Sequence, residues 1–188
     1  MIRLGVIAVA VALAGPALAG DWVLDKSASS ITFETDAFGR DVTGSFGTFD
    51  ATIFLNPDDL TTARIEATID VGTVVTGTLE TEDALRGESG FDAFHFARAR
   101  FISRTVREAA ACDAPGARCL VAQGELSIRN TTRQAELPFT LRIDGAHAVA
   151  DGVMRIRRSD FNVGTVEWGL AGRITEVNLH IEADAETN

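Results

Sequence analysis

Apolar and polar residues alternate with a period of two along most of the chain. In residues 63–71, ARIEATIDV, one face collects Ala63, Ile65, Ala67, Ile69 and Val71, and the other collects Arg64, Glu66, Thr68 and Asp70. That is the pattern of a strand buried on one side. Residues 30–36 (SITFETD) put Ile31, Phe33 and Thr35 together, and residues 50–56 (DATIFLN) do the same for Ala51, Ile53 and Leu55. The rhythm returns in 120–128, 137–144, 152–158 and 176–185. Turn-prone pieces separate these runs: NPDD (56–59), DAPG (113–116), RNTTR (129–133), DGAH (144–147) and EWGLAG (167–172).

One stretch departs from the rhythm. Residues 78–94, TLETEDALRGESGFDAF, carry Glu80, Glu82 and Asp83 early, Arg86 late and Gly87 as a stop, a charge order that suits a short helix and its dipole. Ser89 then resembles the cap of one further turn. The pattern predicts an all-β, antiparallel domain of about eight strands with one short helical insertion. So many one-sided strands hide their edges either by closing into a barrel or by stacking as two sheets. Alternation alone leaves open whether the space behind the apolar face is packed or hollow.

The first residues, MIRLGVIAVAVALAGPALAG, combine Arg3, an apolar run from Leu4 to Ala14 and a small-x-small ending at Ala17-Leu18-Ala19. This is the form of a cleavable signal peptide over 1–19, too short to span a membrane as a helix. Residues 20–188 are then expected to be a single domain, exported to the periplasm. Loss of Arg3 takes the net charge from −10 to −11, which disfavours nucleic acid as a partner. Cys112 and Cys119 bracket DAPGAR. In an oxidising compartment that pair reads as a disulfide across a loop neck, stabilising by roughly 2–3 kcal/mol in the chain-entropy picture.

Candidate chemistry is sparse. His95, His147 and His180 are far apart and belong to no metal-ligand spacing, so no metal or cofactor is expected. No Gly-x-Ser-x-Gly elbow occurs, and GSFG (44–47) has the wrong spacing. No catalytic residue is assigned, and the protein is read as not an enzyme. Arg98, Arg100 and Arg104 share a parity and are expected on an outer face, paired with carboxylates of neighbouring strands such as Glu125.

Five segments in order resemble the YceI-like family of periplasmic, lipocalin-like polyisoprenoid-binding proteins. They are WVLDKSASSITFE (22–34), VTGSFGTFDATIFLNPDDL (42–60), TEDALRGESGFDAFHFARARFIS (81–103), GELSIRNTTRQAELPFTL (124–141) and RRSDFNVG (157–164). The last is similar to the family's Arg-x-Asp-Phe-Gly signature, with Asn162 where Gly is common; Asn tolerates left-handed backbone angles. Asn130 likewise stands for a turn Gly, Ala84 stands where many members have His, and Asp36 lies near another often basic or His position.

The resemblance implies a lipocalin-like β-barrel that is hollow, a carrier for an isoprenoid lipid of polyprenyl or quinone type. It implies a lining of Phe33, Phe46, Phe49, Ile65, Ile69, Phe101, Phe139, Met154 and Ile156, with Arg158 as a candidate for the lipid head group. The ELPFTL and VGTVEW pieces are similar to members associated with membrane di-haem b-type cytochromes, so the alternative is an interaction module docking on such a redox partner; a homodimer is a compatible assembly. Within RRSDFNVG, Arg158 and Asp160 lie two apart and are expected to share a strand face and pair at the barrel rim. Phe161 would anchor the opposite side, and Asn162 with Gly164 would allow the bend.

Overall fold

The first and last strands meet. In the computed structural model, which describes residues 20–37, 39–110, 113–164, 168 and 174–186, β1 (Gly20–Ala37) and β10 (Ile174–Ala185) pair antiparallel along most of their length. Between them in the chain come β2 (Arg40–Phe46), β3 (Phe49–Leu55), β4 (Arg64–Asp70), β5 (Val74–Val75), β6 (Arg98–Glu108), β7 (Arg118–Ile128), β8 (Thr131–Asp144) and β9 (His147–Arg157). The pairing order β1-β3-β4-β6-β7-β8-β9-β10 returns to β1, a closed antiparallel barrel of eight strands. The leader segment 1–19, Cys112 of the expected disulfide and all of the expected turn 167–172 except Trp168 lie outside the described residues.

The two remaining segments extend the wall at one end. β2 pairs with the far half of β1, and β3 with its start, so β2 and β3 form one bent strand hinged at Gly47-Thr48. The Gly47 amide donates to the Thr73 carbonyl (3.1 Å) and the Thr48 amide to Thr73 Oγ1 (3.0 Å). β5 continues β4 past a short 3-10 turn (Val71–Thr73) and pairs with Ser45 and Phe46.

Helix α1 (Leu79–Arg86) caps this same end. Its N-cap is Thr78, and its first turn carries Glu80 and Glu82, as the charge order predicted. Glu82 is buried: it accepts the Thr76 amide (2.9 Å) and pairs with Arg86 (3.2 Å). Arg86 also donates to the carbonyls of Gly72 and Val74, which fixes the helix to the turn and to β5. The expected cap at Ser89 is corrected. The chain leaves α1 in a turn closed on the Gly87 carbonyl, which accepts the Gly90 and Asp92 amides, and the further turn is closed from Asp92, whose carbonyl accepts the His95 and Phe96 amides and which itself has φ 50°.

Two bulges break the alternation. On β6 the register shifts between Ser103 and Thr105, leaving Arg104 as the extra residue. Ser103 is buried there, and its Oγ accepts the Ile65 amide (2.8 Å) where the β4–β6 ladder ends. On β1 the register with β10 shifts between Asp25 and Ser30. Ser29 fills that gap with its hydroxyl, which accepts the Glu182 amide (2.9 Å) and donates to the Glu182 carbonyl (3.3 Å). The Asn130 expectation is corrected as well: the left-handed residue of the β7–β8 turn is Arg129, φ 55°. Its guanidinium donates to the carbonyls of Asn162 (2.6 Å) and Gly90 (3.2 Å).

Opposite the β6 bulge, an added Cβ on Gly124 would lie 2.1 Å from the Ile102 carbonyl oxygen. The obstacle is backbone, so Gly124→Ala is expected to lower stability by about 2–3 kcal/mol, read as a lower urea midpoint with an unchanged slope.

Candidate functional site

The inward faces of the barrel enclose an apolar cavity of about 210 Å³. Its wall runs from Thr175 to Ala183 on β10, about 27 Å of extended strand, or roughly 20 Å along the axis at a typical barrel tilt. All ten residues expected at the ligand line it: Phe33, Phe46, Phe49, Ile65, Ile69, Phe101, Phe139, Met154, Ile156 and Arg158. They come from seven strands and the turn after β9, so only closure brings them together. Phe33 and Phe46 pack with ring centres 5.5 Å apart, and Phe46 meets Phe91 edge-on at 5.9 Å.

Space remains because large residues face small ones. Ala51, Ala67, Ala99, Ala148, Ala150, Gly152 and Ala183 all border the cavity, and Ala51 lies directly opposite Ala67. An apolar cavity of about 150 Å³ is enough to stay dry and take up benzene, so this interior favours an apolar guest over water.

The lining extends beyond the expected set. Trp22 lines one end, its indole N–H donating to the Leu55 carbonyl (3.1 Å). Leu85 of α1, Phe91, Phe161 and Val163 border the other. Trp22 and Ile31 both face inward although their parity differs, because the β1 bulge lies between them. Leu85 and Phe91 sit in the non-strand excursion, where alternation carries no signal; the i, i+3 spacing from Glu82 to Leu85 on α1 is the one local clue to an inward helix face.

The RRSDFNVG expectation needs correction. Arg158–Phe161 is a 3-10 turn, in which residues two apart point about 240° apart around the axis. Arg158 is accordingly buried and Asp160 exposed. Arg158 Nη2 donates to the Asp36 carbonyl on β1 (2.8 Å), so the pair within the motif is replaced by a tie from the turn after β9, past β10, to β1. Phe161 points into the cavity, and Asn162 closes the turn in the left-handed conformation, φ 55° and ψ 36°.

Other charged candidates lie outside. Arg100 pairs with Glu66 (2.9 Å) and Arg104 with Glu125 (2.7 Å) on the outer face, as expected, and Arg98 is exposed there. His95 bonds Asp92 (2.8 Å) in the loop after α1. His147 and His180 share an outer patch of β9 and β10: His147 bonds Asp184 (2.9 Å) and Glu182 (3.3 Å), and His180 bonds Asp151 (2.7 Å) and Glu182 (3.2 Å). Among the described residues no group of three or more His, Cys, Asp and Glu has metal-binding geometry.

Comparisons with known proteins agree with this architecture. The YceI-like domain matches residues 22–185. A UPF0312 protein of Pseudomonas fluorescens is 26% identical over 161 residues, covering 81% of each chain. The crystal structure of Burkholderia cenocepacia BcnA superposes with a TM-score of 0.73 at 26% identity, covering 85% of this chain and 99% of that one. A polyisoprenoid binding domain from Saccharophagus degradans, implicated in plant cell wall breakdown, superposes with a TM-score of 0.67 at 14% identity, covering 90% and 100%.

The outer histidines generate a pH prediction. The hydrogen bond to Asp184 raises the pKa of His147, and those to Asp151 and Glu182 raise that of His180, above the ordinary 6.5. The folded state therefore holds these protons more tightly than the unfolded chain. Their stabilisation is complete below pH 6.5 and is lost as pH rises through the raised folded values. The double variant His147→Gln/His180→Gln is expected to flatten the decline of the unfolding midpoint above pH 6.5, measured by thermal melts across a pH series.

Proposed function

The chain belongs to the YceI-like domain family, and from that membership we propose that it is a non-enzymatic periplasmic carrier holding an isoprenoid lipid inside its barrel. The observation that carries this reading is the apolar cavity inside the barrel, whose wall is made mostly of Phe, Ile, Leu, Val and Ala. A branched hydrocarbon tail fits such a wall through area alone, at about 25 cal/mol per Å² of apolar surface removed from water, with few polar contacts required. Met154, buried at the wall, supplies a side chain that adapts to an irregular guest. The S. degradans domain, named for polyisoprenoid binding and sharing this fold, supports the same class of ligand. The signal-like residues 1–19 and the Cys112–Cys119 pair support export into an oxidising compartment.

Mass spectrometry of extracts tests the proposal. Protein produced with its leader and purified without detergent is expected to yield an isoprenoid lipid; repeated absence of any lipid sinks the idea. Ala67 faces Ala51 across β3 and β4 and Phe101 across β4 and β6, so Ala67→Phe fills the space between them. That variant is expected to lose most of the bound lipid while retaining a cooperative melt. Unchanged lipid content would place the ligand outside the barrel.

A further inference from the structure

β8 and β9 part along the barrel wall. Their ladder runs from Asp144–His147 to Phe139–Gly152 and stops before Pro138, a residue with no N–H. Beyond that point, among the described residues, 131–138 of β8 pair only with β7 and 153–157 of β9 only with β10. The side chains register the gap. Arg133 stands opposite Leu126 on the inner face of the wall, yet it is exposed. A continued ladder would set Leu137 opposite Met154. Instead Leu137 leans on Gly152, where an added Cβ would lie 3.1 Å from its Cδ1. Outside the same point lies a groove of about 550 Å³, bordered by Thr32, Pro138, Val153 and Asn178. Asp151 and His180 stand beside it, bonded to each other (2.7 Å). Phe139, Gly152 and Leu179 border both this groove and the inner cavity.

The other boundaries of the cavity are tied by hydrogen bonds. Arg86 and Glu82 fasten α1 to Gly72, Val74 and Thr76, and the Trp22 indole is bonded to Leu55. Arg129 closes the far side of the gap by donating to the Asn162 carbonyl. Moving any of these strips a polar group of its partner, at about 1–3 kcal/mol each where the group is buried. Widening the gap beyond Phe139 breaks no ladder bond and moves apolar side chains. We propose that the gap between β8 and β9 is a side gate, with Leu137 and Met154 as its leaves, through which an apolar chain passes between the outer groove and the cavity. The proposal rests on the carrier reading above. A hydrocarbon suits this route because no charge has to be desolvated along it.

The test joins the leaves. The described residues include no free cysteine, so the two thiols of Leu137→Cys/Met154→Cys are linked by a short bis-maleimide. The same variant capped with a monofunctional maleimide is the unlinked reference. Uptake and release of diphenylhexatriene, an apolar rod that fluoresces out of water, are followed by stopped flow. Linking is expected to slow both about tenfold or more, with the equilibrium affinity nearly unchanged because entry and exit share one route. Leu137→Ala trims a leaf and is expected to speed both. A link between the paired strands β3 and β4 on their outer face, Thr52→Cys/Glu66→Cys, is expected to leave both rates as they are. Rates indifferent to the 137–154 link or to Leu137→Ala, or slowed equally by the β3–β4 link, overturn the gate and leave the carrier reading standing. A wild-type protein that takes up no diphenylhexatriene overturns the carrier reading, and the gate with it.

Discussion

The pairing of β1 with β10 is the constraint on which the rest depends. Residues more than 140 positions apart, Phe33 with Val177 and Trp22 with Ala185, are locked in register. Without that seam the sheet would present two unpaired edges and an apolar face open to water. With it, every inward residue faces others across a closed space. The seam also tolerates an interruption, because the Ser29 hydroxyl stands in for the backbone where the β1 bulge pulls away from Glu182.

Closure alone does not make a binding site. An eight-stranded barrel is just wide enough for its own side chains to fill it or for one small guest to enter. Which outcome prevails depends on side-chain volume. Alanines and a glycine opposite Phe, Ile and Met leave the axis empty, while Trp22 at one end and Leu85, Phe91 and Phe161 at the other bound it. Bulkier residues at Ala51, Ala67 and Ala150 would give the same topology and a packed core.

Much of this was legible in the chain, and the failures have physical causes. Period two located the strands and their inward faces, and equal parity placed the β6 arginines outside, opposite Glu66 and Glu125. Alternation could not distinguish a packed interior from a hollow one, since both present the same face to the same side. It also assumes unbroken strands, so the β1 bulge hid the inward turn of Trp22. The Arg158–Asp160 pairing failed because the chain leaves the strand at Arg158 and tightens into a 3-10 turn. Thr35 was readable as inward, but its hydroxyl bond to Thr175 exists only because closure brings β10 beside β1.

That tight turn accounts for the shape of RRSDFNVG as a whole. Ser159 accepts the Asn162 amide and Arg158 accepts the Val163 amide, so the turn is closed by its own backbone and sends Arg158 inward while Asp160 goes to solvent. Asn162 supplies the left-handed residue that ends it, and Arg129 holds that residue's carbonyl from the neighbouring hairpin. Gly164, at φ 92°, then passes so near that a Cβ there would be 3.0 Å from Arg158 Nη1 and 3.2 Å from the Trp168 ring. The glycine thus leaves room for a buried guanidinium to lie against the wall and reach Asp36. The motif is a device for setting one cation at the end of an apolar barrel, and a strand carrying the same residues would have directed Arg158 and Asp160 to the same side.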